Sequence, residues 1–309
     1  MNNQPNNDTR NGVLNAISAY FLWGLAPIYF KLIKEVSPDE IMIHRIVWSC
    51  LLLFIFILAS KKLPALISIL KQPKVLVKLS ITATFLAVNW FLFIWAVNND
   101  HLLDASLGYF INPLFSVALA VIFLGERLRK WQIVAVALAI IGVLIQLVYI
   151  GSLPIISLAL AGTFGIYGLL RKKLSIDSFI GLLLESALML PFALIYWQFF
   201  VSSGTTNMFN NSVSLNTLLI FAGVVTTAPL LCFTAAAKRL TLSTVGFFQY
   251  IGPSMMFILA ISYYHETLVI EKLITFGFIW AALFIYSIDS FKAHKQKRKL
   301  AGLQTAKDL

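Results

Sequence analysis

The chain contains ten long apolar runs, each bounded by charged or turn-forming residues. Their predicted limits are 13–33, 39–59, 76–97, 103–124, 129–149, 152–170, 178–200, 215–237, 243–263 and 270–289. A helix needs about 20 mostly apolar residues to cross roughly 30 Å of hydrocarbon. Hydrophobic residues make up 59% of the chain and charged residues only 12%, so one soluble core could not enclose the apolar surface. We therefore predict an all-α integral membrane protein with ten transmembrane helices.

Basic residues predict how these helices are oriented, because loops on the cytoplasmic side carry an excess of Lys and Arg. With both termini in the cytoplasm, that side holds 20 of the 24 basic residues, and Arg171 is among them. The opposite side holds Lys31, Lys34 and Lys272, whereas Arg45 lies inside a span. We predict a multi-pass protein of the cell (inner) membrane with both termini cytoplasmic.

The net charge of +11 arises from short clusters of Lys and Arg between the apolar runs and from the segment KAHKQKRK (Lys292–Lys299). This distribution is typical of charge that sets membrane topology, and we expect no nucleic-acid partner. We expect residues 290–309 to form a basic cytoplasmic tail on the anionic inner leaflet, and residues 1–12 to be disordered. The two cysteines, Cys50 and Cys232, lie inside apolar runs, so neither a metal site nor a cofactor is predicted.

An internal repeat divides the chain into two halves. INPLFSVALAVIFLGE (Ile111–Glu126) and IGPSMMFILAISYYHE (Ile251–Glu266) align at their isoleucine, proline and glutamate with an offset of 140 residues. Because each half has five spans, an odd number, the second half enters the membrane from the opposite side. Inverted repeats are common in secondary transporters, which bind their solutes near the midplane between the halves. We predict one five-helix repeat over 13–149 and a second over 150–289.

Five stretches of sequence carry a resemblance to a known family. They are EIMIHRIVWS (Glu40–Ser49), NWFLFIWAVNND (Asn89–Asp100), ASLGYFINPLFSV (Ala105–Val117), FGIYGLLRK (Phe164–Lys172) and TVGFFQYIGPSM (Thr244–Met255). Together they extend over nearly the whole chain, from about residue 12 to residue 290. With these stretches the sequence resembles the EamA-type transporters of the drug/metabolite transporter superfamily, and within them the RarD subfamily.

The resemblance implies two five-helix repeats and a secondary active permease that moves small organic metabolites or drug-like solutes by alternating access. The subfamily is customarily associated with a chloramphenicol phenotype, which the resemblance extends to this chain as an expectation. A passive facilitator or channel for small solutes is the alternative, although no selectivity filter or charged ring is visible. The chain lacks HExxH, GxSxG and P-loop motifs, so we expect neither an enzyme nor a nucleotide-driven pump.

Three ionisable residues lie inside the predicted spans, namely His44, Arg45 and Glu185. Because such groups are costly in hydrocarbon, they are candidates for function. We predict that Arg45 binds an anionic or carbonyl group of the solute, and that Glu185, a buried carboxyl, carries a proton. His44 could share that second role, since histidine titrates near neutrality. The alternative is that Arg45 and His44 only anchor their helix at the outer interface.

The depth of Arg45 and Glu185 in the membrane decides whether the two side chains could pair directly. At roughly 1.5 Å per residue, Arg45 lies about 9 Å inside the outer face and Glu185 about 12 Å inside the inner face. About 9 Å of height then remains between them in a core of roughly 30 Å. We therefore predict that they form two ends of one polar cavity.

Amides and aromatic residues near the middle of the spans are further candidates for contact with a solute. They are Trp23, Asn89, Trp90, Tyr109, Asn112, Gln249 and Tyr250. Aromatic walls with a few polar groups are typical of small-molecule sites, but buried amides can equally join neighbouring helices. Pro27, Pro113, Pro229 and Pro253 also lie inside spans, where a proline removes a backbone hydrogen bond and kinks its helix.

Overall fold

The computed structural model describes residues 4–98, 102–151, 155–201, 205–263 and 270–307, and all regular structure in these ranges is α-helical. The helices are α1 (Gln4–Leu32), α2 (Pro38–Ala59), α3 (Leu63–Leu70), α4 (Pro73–Asn98), α5 (Leu102–Leu124), α6 (Lys130–Ile150), α7 (Ile155–Lys173), α8 (Ser178–Phe200), α9 (Val213–Arg239), α10 (Leu242–Phe248), α11 (Ile251–Ser262) and α12 (Ile270–Lys307). Nine stretches of the described chain are long and apolar enough to cross a bilayer, and Gly108–Leu124 is a shorter tenth. The predicted ten-helix membrane architecture is confirmed.

The helices differ from the predicted spans in three places. The short helix α3, between the second and third spans, was not predicted. The ninth span is divided into α10 and α11, because the N–H groups of Gln249 and Tyr250 donate to carbonyls three residues earlier and form a tight turn. Helix α1 begins at Gln4, inside the segment for which disorder was expected, and α12 continues through the basic tail to Lys307.

Four prolines lie in the interior of long helices. Pro27, Pro113 and Pro229 lie inside α1, α5 and α9, within the predicted spans, and Pro191 lies inside α8, which was not singled out. Pro253 occupies the first turn of α11, where its missing N–H interrupts no hydrogen bond of the helix. The ninth span therefore breaks before Pro253 and is not kinked at it.

Local sequence accounts for several helix ends. Helix α2 begins with Pro38, followed in the first turn by Asp39, whose negative charge favours the positive end of the helix dipole. Helix α8 begins after Asp177, whose carboxylate accepts hydrogen bonds from two N–H groups of the first turn. Helix α6 ends at Gly151, which has a φ of 70°. Glycine adopts this left-handed conformation without steric cost, so the helix stops there.

The packing of the helices follows a reciprocal pattern. Helices α1, α2, α4, α5 and α6 form the first half, and α7, α8, α9, the α10–α11 pair and α12 form the second. Helix α1 packs on α9 and α11, just as its counterpart α7 packs on α4 and α5. Helices α2, α5 and α6 each pack on their own counterparts, α8, α10 and α12. This is the arrangement expected of two related halves around a pseudo-two-fold axis, and it brings α2, α4, α8 and α9 together in the interior.

Polar contacts join the helices at the end of the bundle where α1 begins, which we call the terminal end. Lys62, between α2 and α3, lies 2.9 Å from the carboxylate of Asp177. Lys172, near the end of α7, donates to two carbonyl groups at the end of α9. Glu126, after α5, accepts hydrogen bonds from two N–H groups in the first turn of α10. These contacts close the terminal end, whereas Glu266, the predicted counterpart of Glu126, lies outside the described residues.

The contact between α2 and α9 is close enough to require a glycine. A Cβ atom on Gly223 would lie 2.6 Å from the backbone carbonyl carbon of Trp48, a contact that a side-chain rotation cannot relieve. We expect Gly223→Ala to destabilise the protein by about 1–3 kcal/mol, measured as a lower thermal unfolding midpoint in detergent. Gly162→Ala is the matched control, because its Cβ would meet only an ordinary contact of 3.7 Å. Equal midpoints for the two variants would contradict the prediction.

Candidate functional site

Arg45 lies at the meeting point of the two halves. From α2, its Nε donates a hydrogen bond of 2.8 Å to the hydroxyl of Thr226 on α9. Its guanidinium lies over the ring of Trp90 on α4, 4.5 Å from the ring centroid, at cation–π distance. Tyr29 of α1 and Tyr109 of α5 are close enough to interact with its charge. The guanidinium is therefore held by helices of both halves.

Arg45 has no acidic partner within the described part of the chain. A guanidinium carries five N–H donors, and one of them is used by Thr226. The residue as a whole is only partly buried. This geometry suits an anionic or carbonyl oxygen, because a fork of N–H groups binds such atoms with charge-assisted hydrogen bonds.

Glu185 lies deeper in the bundle and is fully buried. The hydroxyl of Thr82 on α4 donates to Oε1 at 2.6 Å, and the hydroxyl of Tyr167 on α7 donates to Oε2 at 3.3 Å. The guanidinium of Arg171 on α7 lies 3.5 Å from Oε1 and forms an ion pair with the carboxylate. One carboxylate from α8 thus binds three side chains from two neighbouring helices.

The burial of Arg171 corrects the prediction that placed it in a cytoplasmic loop. Its side chain is 1% exposed and lies against α8 at Gly181, where a Cβ atom would be 2.2 Å from Nη1. The sequence hid this because Arg171 is followed directly by Lys172 and Lys173, so the three looked like one exposed cluster. The available signals were Tyr167 four residues earlier on the same helical face, and Gly181 four residues before Glu185.

A small cavity links the surroundings of Arg45 and Glu185. It measures about 10 Å³ and lies between α2, α4, α8 and α9. Trp90 and Thr226, which contact Arg45, line one part, and Glu185 with Ser186 lines another. A polar cavity of this size is near the smallest that holds one water molecule. The cavity therefore lies between the carboxylate of Glu185 and two residues that contact Arg45, and its walls combine hydroxyl and apolar side chains.

His44 lies in a separate polar cluster between α2 and α8. Its Nδ1 accepts a hydrogen bond of 3.1 Å from Trp48, and its Nε2 lies 3.8 Å from the carboxylate of Glu40. The ring of Trp197 packs edge-on against the imidazole at 5.2 Å. The contacts of His44 are thus with this cluster and not with Arg45 or Glu185. Sequence reasoning also missed Glu40, which is fully buried although it lies in the first turn of α2.

The buried amides mostly join helices. The side chain of Asn89 donates to the carbonyl of Leu160 at 2.8 Å and to the hydroxyl of Thr163 at 2.9 Å, which joins α4 to α7. At the break in the ninth span, the amide of Gln249 donates to Ser116 of α5 at 3.1 Å. The hydroxyl of Tyr250 also donates to a backbone carbonyl of α5 at 3.3 Å. These contacts match the alternative in which the amides hold the bundle together.

The remaining candidates differ in how far they are available to a solute. Trp23 packs in an aromatic cluster with Tyr20, Phe164 and Phe233 at centroid distances of 5.4–6.0 Å. Asn112 has a buried amide oxygen with no hydrogen-bond partner among the described residues. Tyr109 is 42% exposed and acts on the charge of Arg45. Trp90 and Tyr109 are thus the predicted aromatic residues that the structure brings to Arg45.

A larger groove of about 430 Å³ opens sideways between α2, α4 and α8. Its walls are mainly apolar and aromatic, and they include the lipid-exposed rings of Phe91 and Phe192. Asp39 lies among the lining residues, and Trp90 contributes to its inner wall. The indole of Trp90 therefore borders this groove, the small cavity and the guanidinium of Arg45.

Comparison with known proteins assigns the chain to a family. A family model described as the EamA-like transporter family matches residues 10–148, within the first half. An uncharacterized transporter of Vibrio cholerae serotype O1 is 53% identical over 94% of this chain and 97% of its own. The protein RarD of Escherichia coli K12 is 51% identical over 94% of this chain and 98% of its own. A crystal structure of a protein that is 19% identical shows the same fold, with a TM-score of 0.71 over 90% of this chain and 97% of its own.

The matches to these two relatives extend over nearly their whole lengths. The family is one of membrane transporters and not of enzymes. The ten-helix architecture and the reciprocal packing of the halves agree with that assignment. The chain belongs to the RarD subfamily of the EamA-type transporters, in the drug/metabolite transporter superfamily.

Proposed function

We propose that the chain is a secondary transporter that moves a small organic solute with an anionic or carbonyl group by alternating access. The observation that supports this most directly is Arg45, a cation between the halves of a membrane bundle with no acidic partner in the described chain. A charged side chain at such depth costs free energy, so its presence there indicates a function. Its position between the halves is where inverted-repeat transporters bind their solutes.

We propose further that Glu185 binds and releases the proton that drives transport. Its carboxylate is fully buried, yet the small cavity connects it to the residues around Arg45. A proton on Glu185 would neutralise the carboxylate and weaken its ion pair with Arg171. Solute binding at Arg45 and proton binding at Glu185 would then act on the same four helices, which gives the two events a physical route for coupling.

The orientation follows from the same proposal. With both termini in the cytoplasm, the terminal end, which carries Lys62, Lys172 and Arg239, faces the anionic inner leaflet. The contacts that join the helices at that end would then correspond to a conformation of the carrier that is closed on the cytoplasmic side. Helix α12 continues through the basic segment to Lys307.

The test uses proteoliposomes that contain a trapped pH-sensitive dye. Pools of small organic acids and amides, with chloramphenicol as a separate sample, are added to the wild type and to Glu185→Gln. We expect an active pool to move protons with the wild type and to move none with Glu185→Gln, because glutamine keeps the shape but binds no proton. Glu35→Gln, an exposed acid near the end of α1, is the matched control and should behave as the wild type.

Other results would contradict parts of the proposal. Proton movement that is equal in the wild type and in Glu185→Gln would remove Glu185 from the coupling. Solute flux without proton movement, but with counter-exchange, would indicate an exchanger. Flux that neither saturates nor shows counter-exchange would favour the facilitator or channel. If the protein does not change the accumulation of chloramphenicol, the chloramphenicol phenotype of the subfamily does not extend to this chain.

A further inference from the structure

Helix α8 and its N-cap residue place two carboxylates on either side of the Arg171 guanidinium. Asp177, Gly181 and Glu185 are spaced by four residues, so they lie on one face of the helix. The guanidinium lies against Gly181, and each carboxylate-bearing residue is about 6 Å of helix rise away from it. Because Gly181 has no side chain, no side chain at this spacing stands between Glu185 and Asp177 on that face.

The guanidinium is incompletely satisfied where it lies. Among the described residues, none of its three nitrogen atoms has a hydrogen-bond partner, although the side chain is 1% exposed. The one anion that pairs with it in this part of the chain is Glu185, 3.5 Å from Nη1, and that carboxylate already accepts hydrogen bonds from Thr82 and Tyr167. Buried N–H donors without acceptors cost free energy. Arg171 is therefore held at Glu185 mainly by charge, and a neutral Glu185 would no longer hold it.

Asp177 provides the alternative partner, at the terminal end of the same face. It now lies 2.9 Å from Lys62, and both side chains are partly exposed. Although partial burial opposes the effect, the Lys62 ammonium and two backbone N–H groups keep the pKa of Asp177 below its usual range. Asp177 thus stays ionised and available to a cation that competes with Lys62.

We propose that Arg171 is a positioning residue that moves along α8 from Glu185 to Asp177 when Glu185 binds a proton. Its arrival at Asp177 displaces Lys62, which breaks the contact between the α2–α3 and α7–α8 connections and opens the terminal end. The inference deepens the proposed function, since it rests on proton binding by Glu185. The groups that face Glu185 are Thr82 from α4 and Tyr167 and Arg171 from α7, with hydroxyls of α2 and α9 across the small cavity.

The experiment measures the opening of the terminal end without any solute. Spin labels are attached at Ser60→Cys and Ser175→Cys, which flank the Lys62–Asp177 contact, in a background with both native cysteines replaced by alanine. Distances are recorded by pulsed electron paramagnetic resonance in lipid nanodiscs between pH 8 and pH 5, a range above the ordinary carboxyl pKa of about 4, because burial shifts the titration of a carboxyl upward. We expect the wild type to shift toward longer distances as the pH falls. Glu185→Gln should show the long distances at every pH.

Two further variants distinguish the movement of Arg171 from a general loosening. Asp177→Asn removes the destination and should lose the pH response while keeping the Glu185–Arg171 pair. Gly181→Ala obstructs the path, because its Cβ would lie 2.2 Å from Nη1, and should also reduce the response. Gly162→Ala, with ordinary contacts only, should respond as the wild type. Each variant is first checked for a monodisperse elution profile in detergent, so that a folding failure is recognised.

The outcomes separate this inference from the proposed function. If Glu185→Gln leaves the distances unchanged, or if Asp177→Asn responds to pH as the wild type does, the movement of Arg171 is wrong. The dye assay then still reports whether Glu185 couples protons to solute. If the dye assay shows no role for Glu185 while the labels respond to pH only when Asp177 is intact, the switch stands and the proton coupling of transport fails.

Discussion

Arg45→Gln should lower the apparent affinity for an anionic solute by about 10- to 100-fold, because charge-assisted hydrogen bonds contribute roughly 1.5–3 kcal/mol. Glutamine keeps a polar side chain of similar length but supplies neither the charge nor the fork of donors. The contact with Thr226 and the stacking on Trp90 would both be lost. The measurement is the concentration dependence of solute uptake in proteoliposomes, with the solute found in the dye assay.

Lys34→Gln is the matched control, since Lys34 is an exposed basic residue just beyond the end of α1. It removes the same charge but should change the apparent affinity less than twofold. Arg45→Lys should be intermediate, because lysine keeps the charge and loses the planar fork. Equal affinities for the wild type and Arg45→Gln would mean that Arg45 only anchors α2, which is the alternative that the sequence left open.

Arg171→Leu should destabilise the protein by about 3–5 kcal/mol at neutral pH, because it leaves the buried carboxylate of Glu185 without its counter-charge. Glu185→Leu should cost a similar amount for the converse reason. The double variant should recover most of that loss, since it removes both charges and leaves apolar side chains of related volume. Thermal unfolding midpoints in detergent, combined in a double-mutant cycle, give the coupling between the two residues.

An exposed pair shows the size of effect to expect without burial. Arg239 lies 3.0 Å from Asp8, and their side chains are 34% and 65% exposed. Replacing Arg239 by leucine should destabilise the protein by less than about 1 kcal/mol. The loss in Arg171→Leu should also shrink at lower pH, because a protonated Glu185 carries no uncompensated charge. Additive losses in the double variant would show that the two side chains do not interact, and would contradict the ion pair.

Much of the fold could be predicted because the residues that determine each span are consecutive in the sequence. Apolar runs that match the thickness of a bilayer predict the spans directly, and the repeated Pro113 and Pro253 segments predicted two related halves. The division of α10 from α11 was not predictable in the same way. It depends on Gln249 and Tyr250 bonding across to α5, which are contacts between distant parts of the chain.

The candidate site was only partly predictable for a related reason. Arg45 and Glu185 stood out because ionisable residues are rare inside the apolar runs, where they lie with His44. Arg171 and Glu40 did not, because they lie near helix ends, where sequence alone does not distinguish a solvated charge from a buried one. Their burial is set by packing against α8 and by Thr205, respectively. Residue counting predicted the different depths of Arg45 and Glu185 in the membrane, but it could not predict which side chains contact them.

The position of Trp90 has a consequence for how this protein would respond to its membrane. One indole ring forms a wall of the lipid-exposed groove, lies under the guanidinium of Arg45 and borders the cavity that reaches Glu185. A rotation of that ring would alter all three surfaces together. Acyl chains that press on the groove would therefore act on a side chain of the proposed solute site. Bilayer thickness and lipid composition become variables of the transport cycle itself.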